Sequence, residues 1–327
     1  MLSLVISATK IKPPRFCLYY FAKNELIKTQ FINYKKFVMK YSSAESHKNF
    51  LKQVGDETLL YKVVEFKNFL KMFDGNYLHF NKVDNYADDN DSAQPEQEKL
   101  INQQSYFEKD PNFTLRNYYE ECRKRSYACC FSLDVPKSCH WKEYGGKEPE
   151  KAVCLVMNFG KLKSLLNEAF INFGLVTNSG VILPNHALGK DCLCLHLDDQ
   201  GNIIKEYRAD KIFQIFHLNY GMVNYGDFTN DIIFPSVKPK NPIEYVYFKD
   251  NKYKKENELR VSLSAIGMGK IKLPDGQLFD FPKSISFKFN LNQALSRGAI
   301  SHIEIADKAF LPELAAKMNG AKLIFNN

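Results

Sequence analysis

The sequence of 327 residues lacks the short fingerprints that identify many nucleotide-binding and metal-dependent proteins. Neither G-x-G-x-x-G nor G-x-x-x-x-G-K-[ST] occurs, which argues against a dinucleotide-binding loop and a P-loop. The zinc-deaminase signature is absent, since no C-x-x-C pair occurs. The acidic segment 84–98 fails the EF-hand pattern, because counting from Asp89 places Gln94 and Leu100 where Gly and Glu are needed. We expect this segment to be a solvated loop at the rim of a cleft.

The cysteines do not form a recognisable disulfide or metal framework. There are eight, at positions 17, 122, 129, 130, 139, 154, 192 and 194. We interpret them as mostly reduced, partly buried thiols of a cytosolic protein. Cys192, Cys194 and His196 share one face of a predicted strand, but three ligands along one straight strand lie too far apart to converge on one ion. The sequence therefore predicts no metal site.

Long apolar runs and a basic amino-terminal region are also missing. No stretch approaches the ~18 apolar residues that span a membrane, and the start MLSLVISATK is a poor signal peptide. We expect a cytoplasmic protein, or an effector or toxin delivered into a host cytosol, with no membrane partner. Tryptophan occurs once, yet 26 Phe, 18 Tyr and an apolar fraction of 45% support a sizeable core. The net charge of +8 suits an anionic ligand such as a nucleotide, a pyrophosphate or nucleic acid.

Short apolar segments alternate with a few amphipathic ones, which predicts an α+β fold with a mixed or antiparallel sheet. We predict an amino-terminal extension over 1–55 and one domain over 56–327, with an insertion-like segment at 172–225. Helices are predicted at 65–73, 161–170 and 310–320. Strands are predicted at 59–64, 77–80, 126–134, 151–159, 192–197, 243–248, 258–264, 284–291 and 302–306.

The stretch YKKENELRVSLS places Glu256, Glu258 and Arg260 at every second position. Side chains alternate along a strand, so these three would share one face, with the two carboxylates roughly 6.5–7 Å apart. One interpretation is an antiparallel strand with one wet face. The other is a cleft, in which one carboxylate stabilises an oxocarbenium ion and the other orients a nucleophile. Arg260 would then keep one acid ionised.

Several short motifs together resemble a known family. They are Leu60-Tyr61-Lys62, Phe131-Ser132, Trp141-x-x-Tyr144 with the glycine after it, and Lys249 followed by Tyr253-x-x-Glu256-x-Glu258-x-Arg260. Over about residues 57–325 they resemble a widespread bacterial family of domains of unknown function. That family is in turn similar to the R-S-E class of mono-ADP-ribosyltransferases, which have a split-sheet fold. These enzymes cleave the nicotinamide–ribose bond of NAD and pass ADP-ribose to a side chain, often that of arginine.

The resemblance implies a role for each matched residue. Lys62 would contact the NAD phosphates, next to Tyr61, and Ser132 would shape the nicotinamide pocket. Glu258 would bind the ribose 2′-hydroxyl and stabilise the transition state, and Glu256 would engage the acceptor. The chain departs from the class in having Lys instead of Arg, a point charge instead of a bidentate fork, and Cys-Phe-Ser instead of Ser-Thr-Ser.

Trp141 and Tyr144 lie three residues apart and so share one side of a helix. They either pack into the core or stack on the nicotinamide or adenine ring, because aromatic faces suit flat rings. The small basic clusters at 122–127 and 252–256 are interpreted as solvated faces and not as a nucleic-acid surface.

We therefore predict an enzyme, an NAD-dependent mono-ADP-ribosyltransferase. NAD would be its substrate, no metal would be needed, and a protein side chain, plausibly Arg, would be the acceptor, with no nucleic-acid partner expected. Two alternatives stay open. One is a non-enzymatic module that binds a nucleotide or nucleic acid in phage defence, and the other is an NAD glycohydrolase with water as acceptor.

Overall fold

The computed structural model describes residues 51–104, 106–107, 110–146, 151–176, 182–188, 193–197, 200–208, 212–229, 241–267, 269–273, 275–318 and 323–325. Most of the predicted extension 1–55, parts of the segment 172–225 and Cys192 lie outside these residues, as do the side chains of Cys194 and His196.

The helices and strands follow the chain in an alternating order. The helices are α1 (Phe66–Asp74), α2 (Glu96–Gln103), α3 (Leu115–Arg123), α4 (Ser138–Tyr144), α5 (Phe159–Phe170), α6 (Pro242–Val246), α7 (Leu291–Ser296) and α8 (Leu311–Lys317). The strands are β1 (Leu59–Glu65), β2 (Tyr77–Lys82), β3 (Tyr106–Phe107), β4 (Asp110–Thr114), β5 (Ser126–Ser132), β6 (Ala152–Asn158), β7 (Gly174–Val176), β8 (Ile182–Pro184), β9 (His186–Leu188), β10 (Leu193–Leu197), β11 (Ile203–Arg208), β12 (Ile212–Gln214), β13 (His217–Met222), β14 (Asn224–Gly226), β15 (Phe248–Asp250), β16 (Glu258–Ser264), β17 (Lys270–Lys272), β18 (Leu278–Phe279), β19 (Ser284–Lys288), β20 (Ile300–Ile305) and β21 (Leu323–Phe325).

A nine-stranded mixed sheet is the centre of the fold. Its main order is β13-β16-β5-β1-β6-β20-β21, in which only the β20–β21 pair is parallel. The sheet branches at β5, because Ser132 at the end of that strand pairs with Tyr61 of β1, whereas Ala128 pairs with Asn81 of β2. Strand β19 then extends the β2 branch. The predicted α+β class with a mixed sheet is confirmed.

The core lies on the sheet face that carries the apolar side chains of the central strands. Leu259, Val261 and Leu263 of β16 are fully buried there, in one cluster with Phe131 of β5. Helix α1 covers part of this face with its buried Phe66, Phe69, Met72 and Phe73, whose helical spacing the sequence already indicated. The predicted core face of β16 is therefore correct.

Residues 243–248, predicted as a strand, instead form helix α6 and the start of β15. Asn241 caps the helix by accepting from the Ile243 amide, Pro242 occupies the first turn, and the Glu244 carboxylate accepts a bond from the Asn241 amide. This capping box satisfies backbone donors that a strand would leave to a neighbour, so local capping outweighs the strand-like composition.

The acidic segment 84–98 was predicted to be a solvated loop, and this prediction is wrong. Asp91, Ser92, Gln94 and Glu98 are all at most 5% exposed, even though the segment looks polar in sequence. Ser92 donates its hydroxyl to Asp91, and its amide bonds the Phe248 carbonyl. The segment is polar because it carries buried charge, which needs partners inside the protein.

None of the helices in the described part of the chain combines the length and the apolar character needed to cross a bilayer.

Candidate active site

Strand β16 has no wet face. Every residue from Glu258 to Ser264 is buried, so the interpretation of an exposed polar face is wrong. Glu256 is not on the strand either, because it ends a 3-10 helix that starts at Asn251. Asn257, between the two glutamates, adopts the left-handed conformation at φ 39°, which breaks the period-two alternation. Strand spacing therefore does not relate the two glutamates, and they share Lys249 as a neighbour instead.

Arg260 is the centre of a buried charge cluster, formed with Asp91, Lys249, Glu256 and Glu258. Its side chain is almost fully enclosed, and its guanidinium binds two carboxylates at once. Nε and Nη2 donate to the two oxygens of Glu258 at 2.8 and 3.0 Å, while Nη1 and Nη2 donate to the two oxygens of Asp91 at 2.7 and 2.8 Å. The charge of Arg260 is therefore shared by two bidentate pairs.

Lys249 connects the remaining carboxylate to the charge cluster. Its Nζ lies 2.6 Å from Glu256, 3.4 Å from Asp91 and 3.7 Å from Glu258. Three carboxylates thus face two cations, so the ionised cluster carries one excess negative charge. Burial works against the charged form of Lys249, but Glu258 and Asp91 outweigh it and raise its pKa. Burial also raises the pKa of Glu256, against the opposing charge of Lys249.

Tyr61, Ser132 and Glu258 form a polar row across three adjacent strands. Ser132 pairs with Tyr61 on one side and with Glu258 on the other, so the three side chains leave the same face of the sheet. Neighbouring strands lie about 4.8 Å apart, so the row spans roughly 10 Å. The Ser132 hydroxyl donates to the carbonyls of Asp134 and Glu256, which ties the row to the end of the 3-10 helix.

Lys62 lies next to the polar row but not in it. The alternation of β1 turns it away from Tyr61, toward the side of Phe131, whose ring centroid is 5.4 Å from Nζ. Nζ donates to the Cys130 carbonyl at 3.1 Å. Cys130 lies between the residues of β5 that pair with β1 and with β2. Lys62 therefore fills the branch point of the sheet.

Helix α4 carries Trp141 and Tyr144 beside β1. Tyr144 is 43% exposed. Desolvation, followed by the negative charges of Glu256, Glu143 and Glu258, raises the pKa of Tyr144, which indicates that its hydroxyl lies near the charge cluster. Trp141 is half-buried. Tyr144 thus lies near the carboxylates that the sequence selected.

Three residues of the site were not predicted from the sequence to belong to it. Asp91 and Ser92 reach Arg260 from the segment that was expected to be solvated. The Tyr225 hydroxyl accepts a bond from the Glu258 amide at 3.0 Å. Burial and the charge of Glu258 raise the pKa of Tyr225, so its hydroxyl stays protonated. A buried arginine needs a second anion, and that need was the only signal that could have suggested Asp91.

Among the residues that the structure describes, no group of three His, Cys, Asp or Glu side chains is arranged to hold a metal ion.

Two solved structures of DarT from Thermus sp. 2.9 resemble the chain at a low level. One is a complex with ADP-ribosylated single-stranded DNA, at 10% identity and a TM-score of 0.28, over 85% of this chain and 98% of that chain. The other is a complex with carba-NAD+, at 8% identity and a TM-score of 0.27, over 84% of this chain and 97% of that chain. No protein-family model matches the chain, so the family resemblance stays a prediction. No curated protein matches it either.

The prediction about partners needs correction. It named a protein acceptor and did not expect a nucleic-acid partner, whereas the first DarT structure holds ADP-ribosylated single-stranded DNA. The protein acceptor is therefore withdrawn.

Proposed function

We propose that this protein cleaves NAD and transfers ADP-ribose to a nucleic acid. The observation that carries the proposal is the register of the polar row, in which Tyr61, Ser132 and Glu258 stand side by side on one face of the sheet. Those residues come from motifs more than 60 positions apart, and the pairing of β1, β5 and β16 unites them. Such a row offers a hydroxyl and a carboxylate to one ligand.

The charge cluster suits the chemistry of a glycosidic bond that breaks to leave a cation. Positive charge develops on the ribose as nicotinamide departs, and fixed negative groups stabilise it. Glu258 has both oxygens held by Arg260, so it is pre-oriented and needs no reorganisation during the reaction. Its remaining lone pairs can accept from a ribose hydroxyl, since a carboxylate offers about four acceptor positions.

Glu256 is suited to receive a proton from the acceptor. Its side chain is 14% exposed, compared with 6% for Glu258, so it lies closer to solvent. Burial raises the pKa of Glu256, which brings it nearer to the range where a carboxylate exchanges protons at neutral pH. In the proposed reaction Glu258 stabilises the ribosyl cation and Glu256 activates the attacking group.

The surface next to Glu256 favours a polyanionic acceptor. Lys252, Lys254 and Lys255 are exposed on the 3-10 helix that ends at Glu256, with Tyr253 among them. Lysines interleaved with an aromatic ring are typical of surfaces that follow a single-stranded backbone and stack its bases. In the proposed function the basic cluster at 252–256 therefore binds the acceptor, instead of being only a solvated face.

A second candidate, a non-enzymatic nucleotide-binding module, is favoured by one observation. Glu258 is only 5% exposed, and both of its oxygens already accept bonds from Arg260. A carboxylate in that position could serve the fold alone. The two candidates differ in whether NAD is consumed.

The decisive experiment incubates the protein with NAD labelled in its adenylate part and a mixture of single-stranded DNA and RNA oligonucleotides. We expect label on an oligonucleotide and a loss of roughly 10²–10³-fold in Glu258→Gln, a change that keeps the shape and removes the charge. Glu98→Gln is the matched control, because Glu98 is equally buried but bonds Tyr245 on α6.

The other outcomes are equally informative. Free ADP-ribose without a labelled oligonucleotide would show that the protein hydrolyses NAD and does not transfer ADP-ribose. No NAD consumption, with NAD binding retained in both wild type and Glu258→Gln, would establish the non-enzymatic module. Equal activity in wild type and Glu258→Gln would remove Glu258 from the mechanism.

A further inference from the structure

We infer that Asp91 is a positioning residue, which holds Arg260 in place and shares its charge so that Glu258 keeps a fixed orientation and a full negative charge toward the polar row. This inference rests on the proposed function. Asp91 belongs to the acidic segment between β2 and α2, far in sequence from every motif that suggested a transferase.

The contacts around the guanidinium leave it no freedom. Besides its four bonds to the two carboxylates, Nη1 donates to the Ser92 hydroxyl at 2.8 Å and to the Val246 carbonyl at 2.7 Å. Six acceptors therefore surround the five N–H donors of Arg260. Asp91, Ser92 and Val246 fix the plane of the guanidinium, and that plane in turn fixes the carboxylate of Glu258.

The charges make the role of Asp91 more than geometric. If Glu258 were the only partner of Arg260, the two charges would cancel, and the pair would offer little field to a ribosyl cation. Asp91 is a second anion beside the guanidinium, so Arg260, Asp91 and Glu258 together carry one net negative charge. Burial tends to raise the pKa of Asp91, but the charge and hydrogen bonds of Arg260 hold it below its ordinary value. Asp91 is thus ionised at neutral pH.

A matched control separates this role from a general loss of stability. Glu98 is 5% exposed, compared with 2% for Asp91, and its carboxylate accepts a bond from the Tyr245 hydroxyl. Asp91→Asn and Glu98→Gln each keep the shape of a buried acid and remove its charge. Glu98→Gln is therefore the matched control for Asp91→Asn.

The experiment measures NAD cleavage against NAD concentration in wild type, Asp91→Asn and Glu98→Gln, well below the Tm of each. We expect Asp91→Asn to lower kcat at least about 10-fold with KM for NAD changed less than about 3-fold, since the lost interaction acts in the transition state. Glu98→Gln is expected to keep kcat within about 3-fold, even if its Tm falls as far as that of Asp91→Asn.

The outcomes distinguish this inference from the proposed function. If the wild type cleaves NAD and Asp91→Asn keeps its kcat, or if both variants lose kcat in parallel with Tm, the positioning role is wrong while the function stands. If the wild type does not cleave NAD, the proposed function fails and this inference falls with it. Should Asp91→Asn not fold, Asp91→Glu replaces it. That variant keeps the charge but displaces Arg260, so an unchanged kcat would overturn the inference.

Discussion

Replacing Arg260 with methionine is expected to be among the most destabilising single changes in the site. The guanidinium is fully buried and contacts Asp91, Ser92, Val246 and Glu258. Its loss leaves three carboxylates facing the single ammonium of Lys249. Breaking a buried ion pair by removing one partner costs about 3–5 kcal/mol, because an uncompensated charge stays behind. For a domain of about 270 residues that corresponds to a fall in Tm of roughly 5–9 °C.

The pKa of Asp91 predicts how the stability difference between wild type and Arg260→Met changes with pH. In the wild type, burial acts to raise the pKa of Asp91, but Arg260 outweighs it and holds the pKa below the ordinary value. That contribution to stability is present above the unfolded pKa of Asp and is lost as the pH falls through the folded value. In Arg260→Met the same carboxylate lacks its cation, so its folded pKa rises above the unfolded one. The variant therefore loses stability as the pH increases from about 4 toward 7.

The assay is thermal unfolding of both proteins between pH 4 and pH 7. We expect the difference in Tm to be largest at pH 7 and to shrink on acidification. Arg297→Met is the control, because Arg297 makes an equally short bidentate pair with Glu168, at 2.6 and 2.9 Å, on an exposed surface. It should melt like the wild type at every pH. If Arg260→Met also melts like the wild type, the argument from buried charge is refuted.

Two further predictions concern the surroundings of the charge cluster. Lys62→Met should lower the free energy of unfolding by about 1–3 kcal/mol, because the Cys130 carbonyl at the sheet branch loses its donor. Chemical denaturation measures this change. A loss of NAD binding at unchanged stability would instead favour a contact between Lys62 and the NAD phosphates. Burial raises the pKa of Glu256, so its contribution to stability is present below pH 4.5 and is lost as the pH rises through the folded pKa. Glu256→Gln should therefore gain stability relative to the wild type across that window, by at most about 1.4 kcal/mol per pH unit, and identical pH profiles would contradict this.

The sequence predicted the parts of the fold that depend on local pattern. The alternation of Leu259, Val261 and Leu263 identified the core face of β16, and the helical spacing of the phenylalanines in 66–73 identified α1. Both patterns report burial directly, since a face that meets the core must be apolar. The short motifs also selected Tyr61, Ser132 and Glu258, which the sheet register brings into one row.

The parts that sequence reasoning missed depend on contacts between distant positions. Asp91 and Arg260 are 169 positions apart, and nothing local distinguishes a buried Asp from the solvated acids around it. Glu256 was placed on the strand because Asn257 looks neutral in an alternating pattern, although asparagine tolerates the left-handed conformation that interrupts it. Asp91 was assigned to solvent although its partner lies inside the protein, and Glu256 was assigned to the strand although it ends the preceding 3-10 helix.

The burial of Glu258 can be reconciled with a catalytic role through the number of its acceptor positions. Arg260 occupies one lone pair on each oxygen, and Lys249 lies 3.7 Å from Oε2. The Cys130 thiol takes a third acceptor position on Glu258, so one of about four is left for a ligand. A structural pair that only stabilised the fold would need no excess of acid, yet the cluster holds three carboxylates against two cations. That excess opposes folding and favours a nearby cation, and the proposed reaction would supply one in the charge that develops on the ribose.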